Sequence, residues 1–170
     1  GDISTAVLSQ LRQSARLDAT TDTAVLAEAD AVIVCVPTPL NKTKDPDMRF
    51  IDSATEEIAA HQHKDMLVVL ESTTYPGTTR EVMVPRLISK EGRVLGENVF
   101  VCFSPERVDP GNEKYGTRNT PKVIGGCTHA CLQVGKALYG TIIDTMDALR
   151  KDGEEELFPH VHFGVVGAGR

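Results

Sequence analysis

Ala31-Val-Ile-Val-Cys-Val36, closed by Pro37-Thr38-Pro39, is the stretch from which the fold of this chain is read. Six consecutive apolar residues, four of them β-branched, are too few for a helix and have no polar alternation. They are expected to form a parallel strand covered on both faces. Pro37 and Pro39 have no amide hydrogen to give a ladder, so the strand stops there. Toward the N-terminus, residues 3–13 have helical spacing, with Ser4 as cap and Val7, Leu8 and Leu11 on one face. Residues 17–20 read as a short strand and 23–28 as a brief helix. Toward the C-terminus, a polar loop (41–48) precedes a helix over about 50–61 with Ile51, Ala54, Ile58 and Ala59 facing inward. Residues 66–70 then form a buried strand. Thr78 or Thr79 opens a helix reaching about Ser89, with Val82, Val84, Leu87 and Ile88 available for burial and Pro85 near its first turns or kinking it. Strands at 99–103, 122–124 and 141–145 and a helix at 128–139 complete the series, and 104–121 is a long loop. Strands alternating with helices specify an α/β fold built on a parallel sheet.

A chain of 170 residues with 41% hydrophobic content is of a size to form one domain with one core. Its net charge of -6, with Lys and Arg scattered, offers no field for a phosphate backbone, so nucleic acid is not an expected partner. No apolar run approaches the roughly 20 residues that span a bilayer, and Gly1-Asp2-Ile3-Ser4 has no signal-peptide character. A soluble, cytoplasmic protein without a membrane partner is expected. Cys35 and Cys102 sit in apolar runs, and Cys127 and Cys131 have no second pair at metal spacing, so reduced, buried thiols are expected. His61 with His63 and His160 with His162 form H-x-H pairs, but nothing nearby supplies further ligands. No metal site is expected.

Open parallel sheets bind ligands at the carboxyl ends of their strands. Three strand exits here are rich in polar and turn residues: Pro37-Thr38-Pro39, Glu71-Ser72-Thr73-Thr74-Tyr75-Pro76-Gly77 and Ser104-Pro105-Glu106-Arg107. Hydroxyls, a carboxylate and a guanidinium on one edge suit orientation of a polar ligand and proton handling beside it. Each exit also reads as an ordinary turn whose Ser and Thr cap a helix.

Residues 31–40, 71–79, 103–112 and 119–126 resemble, in order and spacing, the UDP-glucose/GDP-mannose dehydrogenase family. Ser104-Pro-Glu-Arg-Val-Asp-Pro-Gly-Asn112 is similar to the branch that oxidises UDP-N-acetylhexosamines, and the resemblance covers nearly all of 1–144. It implies a truncated Rossmann-like fold, a mostly parallel sheet with helices on both faces and the family's first two strands missing. Residues 1–146 would be a partial NAD-binding domain and 147–170 an atypical tail. Family members oxidise a sugar C6 alcohol to a carboxylate in two NAD-dependent steps, through a cysteine-bound thiohemiacetal and thioester. The resemblance therefore implies that Val36, Pro37, Thr38 and Pro39 lie along the cofactor near its nicotinamide, with Ser72, Thr73 and Glu106 on the same side. Thr73 and Glu106 would serve the active-site water, Glu106 as base for thioester hydrolysis, a role that partial burial of a carboxylate favours. Arg107 would face the substrate, or else pair with Glu106 or Asp109.

The resemblance also implies parts that these residues do not include. They are the first strand with its G-x-G-x-x-G turn and helix, the acidic residue for the ribose, and a second domain carrying the catalytic lysine and cysteine. Gly125-Gly126-Cys127 superficially matches the glycine run before the family nucleophile, but it opens a helix of the first domain, and Cys127 is rejected as the catalytic thiol. A chain that binds NAD weakly at best and is catalytically silent alone is expected, with the UDP-sugar a partner of the full-length family only. Residues 161–166, followed by Gly167-Ala168-Gly169, read as a first Rossmann strand and the opening of its turn. This is either a permuted or exchanged strand that docks beside 31–36, in the same molecule or in a neighbour, or a frame-shifted or vector-derived tail covering a sheet edge. A homo-oligomer is expected on either account. The alternative function is a non-enzymatic module that self-associates or binds a partner. A small hydrolase using Glu106 and Thr73 is a third reading, for which no nucleophile and base pair is evident.

Overall fold

Five short strands form one sheet in the computed structural model, which describes residues 4–14, 17–40, 46–105, 120–141, 143 and 146–149. The elements are α1 (Thr5–Gln13), a 3-10 turn (Thr23–Glu28), β1 (Ala31–Val34), α2 (Arg49–His61), β2 (Met66–Leu70), a π-helical turn (Thr79–Met83) running into α3 (Val84–Leu87), β3 (Val99–Phe103), β4 (Lys122–Gly126), α4 (His129–Tyr139) and β5 (Met146–Leu149). The strands lie in the order β1-β2-β3-β4-β5. Neighbours are parallel except β3 and β4, which are antiparallel. All five residues of β2 are buried, because it has strands on both sides and helices on both faces.

The reversal at β4 decides where the helices go. Right-handed crossovers joining parallel strands laid down in one direction place α2 and α3 on the same face. With β4 running the other way, the same handedness carries α4 to the opposite face, where Gly135 packs on Ile124 and Cys102. A Cβ on Gly126 would stand 2.3 Å from the backbone nitrogen of Leu132, so β4 and α4 approach as closely as they do only because this residue is glycine.

Several expectations change in detail. β1 ends at Val34, and among the described residues it pairs on one side only, with β2. Residues 17–20 are not a strand; Leu17 is 41% exposed and no neighbouring strand offers a ladder. Among the described residues the strand after α4 is Met146–Leu149, and Thr141 and Ile143, expected within a strand over 141–145, instead donate their amides to the Leu138 and Tyr139 carbonyls at the end of α4. On α2 the buried positions are Ile51, Thr55 and Ile58, with Ala54 and Ala59 half-buried; Thr55 hides its hydroxyl by donating to the Ile51 carbonyl at 2.6 Å. Around Pro85, which has no amide hydrogen, the helix widens and the Val84 amide reaches back to Thr79. α1 forms as expected with Ser4 accepting from the Val7 amide, yet it buries no residue, and Val7 and Leu8 stay exposed. Residues 161–166 and most of the tail lie outside the described residues.

Candidate functional site

The three parallel strands finish level, because the register pairs Val34 with Leu70 and Leu70 with Phe103. Their exits are joined beyond the last ladder rung. The Glu71 amide donates to the Val34 carbonyl and the Ser104 amide to the Leu70 carbonyl, each at 2.9 Å. Pro37 cannot continue the ladder from β1, and a side chain does so instead. The buried Ser72 hydroxyl accepts from the Val36 amide at 2.8 Å and donates to the Val36 carbonyl at 2.9 Å, with the Val34 carbonyl 3.4 Å away. The exits of β1 and β2 are thereby bound together along one rim.

Of the four hydroxyls in Ser72-Thr73-Thr74 and Thr78, three hold the turn together. Ser72 is engaged by Val36, Thr74 and Thr78 share a 2.7 Å hydrogen bond, and Thr78 also donates to the Tyr75 carbonyl. Thr73 is exposed, as are Pro37 and Pro39, while Val36 and Thr38 are half-buried. The turn closes at Gly77, whose φ of +97° favours glycine and over which the Glu81 carboxylate folds. The rim thus presents Thr73 to solvent, with Thr38 half-buried on the adjacent exit.

Beneath it lies a cluster that the sequence reading did not find. Glu71 is buried at the end of β2, where it ion-pairs with the fully buried Lys122 of β4 and accepts from the Tyr139 hydroxyl at 2.6 Å. The Lys122 ammonium stands 5.0 Å from the centre of the Tyr139 ring. Burial, and then the charge of Glu71, hold the Tyr139 hydroxyl protonated far above its ordinary range. Cys35, Glu71 and Ser104 each follow the last residue of a level strand, with the Cys35 thiol 3.9 Å from Glu71 and the Ser104 hydroxyl fully buried without a hydrogen-bond partner. The signal available in sequence was a charged residue continuing each of two apolar runs, Glu71 after Met66–Leu70 and Lys122 before Val123-Ile124, since charges there must pair. Glu71 is therefore held inside and is not a free base on the rim.

Glu106 and Arg107, with the rest of 106–119, lie outside the described residues. Cys127 is buried, and burial followed by the neighbouring Cys131 pushes its thiol up to about 11, so it is not a thiolate at neutral pH. His61 contacts the Thr23 hydroxyl and His63 contacts the carbonyls of Lys64 and Ala29. Among the described residues no cluster of His, Cys, Asp or Glu is placed to hold a metal ion, and no helix is long and apolar enough to cross a membrane.

Residues 3–143 match the NAD binding domain of the UDP-glucose/GDP-mannose dehydrogenase family. The chain is 34% identical over 131 residues to Protein CapL of Staphylococcus aureus, an alignment covering 77% of this chain and 31% of CapL. It is 34% identical over 134 residues to the UDP-N-acetyl-D-glucosamine 6-dehydrogenase of Salmonella typhi, covering 79% of this chain and 32% of that protein. The structure of a UDP-D-ManNAc dehydrogenase from Pyrococcus horikoshii superposes with a TM-score of 0.76 at 28% identity, over 86% of this chain and 35% of that one. The chain thus spans about a third of the length of these relatives.

Proposed function

This chain belongs to the UDP-glucose/GDP-mannose dehydrogenase family, and from that premise we propose that its rim is the nicotinamide-side wall of an enzyme that oxidises the C6 alcohol of a UDP-N-acetylhexosamine to a carboxylate. One observation carries the reading: the exits of β1 and β2 are bound into a single edge on which Thr38 and Thr73 stand open while the neighbouring hydroxyls are occupied. NAD, when bound, accepts the hydride that leaves the sugar carbon. Val36, Pro37, Thr38 and Pro39 would lie along it. Thr73 would offer its hydroxyl to the cofactor or to a water beside it, and Ser72 would contribute by holding Val36. Glu106 and Arg107 complete the reading as base and substrate-side cation. The described residues fit such a wall, and a glycine turn for the pyrophosphate is not among them.

Titration with NAD⁺ followed by amide chemical shifts tests this. Perturbations should saturate in the millimolar range and concentrate at residues 36–39 and 72–75. Perturbations elsewhere, or none, refute the assignment of the wall. No NADH should form from UDP-N-acetylglucosamine and NAD⁺ with this chain alone; turnover would refute the expectation of silence.

A second reading, self-association, is favoured by the edge at β1. Its outer backbone groups have no strand partner among the described residues, and Val7 and Leu8 of α1 are exposed as well. Sedimentation velocity should then show a concentration-dependent dimer that Ile33→Lys abolishes. A monomer at all concentrations rejects it.

A further inference from the structure

We infer that Ser72 is a positioning residue for the open hydroxyls of the rim, acting through the Val36 peptide and touching no ligand itself; this rests on the reading of the rim as a cofactor wall. Three hydrogen-bond contacts carry the inference. The Ser72 oxygen receives the Val36 amide at 2.8 Å and lies 2.9 Å from the Val36 carbonyl and 3.4 Å from that of Val34. A strand neighbour would satisfy these same groups if the ladder ran on. It does not run on, because β1 and β2 have their last paired rung at Val34 and Leu70 and Pro37 has no amide to offer. Ser72 therefore stands in for one more rung, made by a side chain.

The consequence reaches two residues further. Proline holds its own φ near -65° and restricts the residue before it, so once the Val36 peptide is held, little freedom is left between it and Thr38. The hydroxyl of Ser72 sets where Thr38 stands, and its backbone is continuous with Thr73. One buried oxygen thus fixes the spacing of the two unengaged hydroxyls, Thr38 in the exit of β1 and Thr73 beside it in the exit of β2. Ser72 is buried, and its proton and one of its two acceptor lone pairs are engaged by the Val36 peptide, so it acts through that peptide and not as a direct ligand.

Ser72→Ala is compared with Thr55→Val, which removes another buried hydroxyl that donates to a backbone carbonyl, far in sequence from the rim. Both variants lose stability. Only Ser72→Ala should lower the backbone order parameter of Thr38 in the ligand-free protein, and only it should weaken NAD⁺ binding, by about tenfold, measured by shift titration well below unfolding. If Ser72→Ala does not fold, Ser72→Cys carries the same comparison with a weaker donor in place. Wild-type order at Thr38 in the Ser72 variant, or equal loss of order in Thr55→Val, overturns the inference. Should the wild-type chain show no NAD⁺ perturbation at all, the cofactor wall fails. The clamp is then decided by the Thr38 order parameter alone.

Discussion

Glu71 and Lys122, 51 positions apart in the chain, form an ion pair in which the side chains are 1% and 0% exposed. Tyr139 donates to the same carboxylate from the last turn of α4. The three residues come from the exit of β2, from β4 and from α4, so the pair joins the parallel part of the sheet to the strand that reverses it. Two desolvated charges are tolerable here because each is compensated within hydrogen-bonding reach. The cluster lies directly below the turn that carries Ser72 and Thr73.

Removing Lys122 takes the counter-charge away from the buried Glu71 carboxylate. Lys122→Met is expected to destabilise the fold by roughly 3 to 5 kcal/mol in urea denaturation. The double variant Glu71→Leu/Lys122→Met should recover much of that loss, because it removes both desolvation costs. Recovery of nothing would mean that Tyr139, not the charge pair, is the dominant partner.

Alkaline pH should unfold the protein from within. An unfolded cysteine releases its proton near 9.0, whereas burial holds the Cys127 thiol to about 11. Between those values the unfolded state has shed a proton that the folded state keeps, so stability falls as pH rises. The contribution is complete below pH 9.0 and is exhausted near pH 11, and it amounts to about 3 kcal/mol at most. Cys102 and Tyr139, both shifted upward chiefly by burial, act in the same direction. Urea midpoints on either side of this window measure the slope, and Cys127→Ala should reduce it.

Two glycines that touch α4 should respond differently to alanine. At Gly126 the added methyl would meet the Leu132 backbone, which cannot rotate away, and a cost of roughly 3 kcal/mol is expected. At Gly135 it would meet the ends of the Ile124 and Cys102 side chains at 2.6 and 2.8 Å. That strain is partly offset by the better helix propensity of alanine, about 1 kcal/mol. Thermal denaturation should therefore rank Gly126→Ala well below Gly135→Ala.

Arg93 should matter more than Arg86. Its guanidinium donates to the carbonyls of Ala59, Gln62 and Leu87, closing the ends of α2 and α3 together. Arg86 pairs with Asp52 at 2.8 Å on a partly exposed surface. Arg93→Ala is expected to cost about 2 to 3 kcal/mol, against about 1 or less for Arg86→Ala after loss of its pair with Asp52. Equal losses in chemical denaturation would show that the surface pair does more than exposed pairs usually do.

Local pattern was enough for β2, all of whose residues are buried, and to locate β1 and β3, because buried strand positions must be written in apolar residues whatever surrounds them. Pattern also located the rim, since proline and hydroxyl residues at strand ends announce where ladders stop. It misplaced the last strand, where Thr141 and Ile143 have the β-branched look of a strand but spend their amides on the end of α4. Propensity cannot report which of two partners an amide will choose.

The sequence by itself determined the α/β order, the polar exits of the first three strands and the family to which the residues belong. Only the tertiary structure decided that β4 runs backward, that Glu71 is held inside by Lys122 and Tyr139, and that Ser72 is engaged while Thr73 is open. These depend on contacts between residues tens of positions apart. A hydroxyl or carboxylate has the same letter whether it faces water or a buried partner, and folding alone assigns the neighbour.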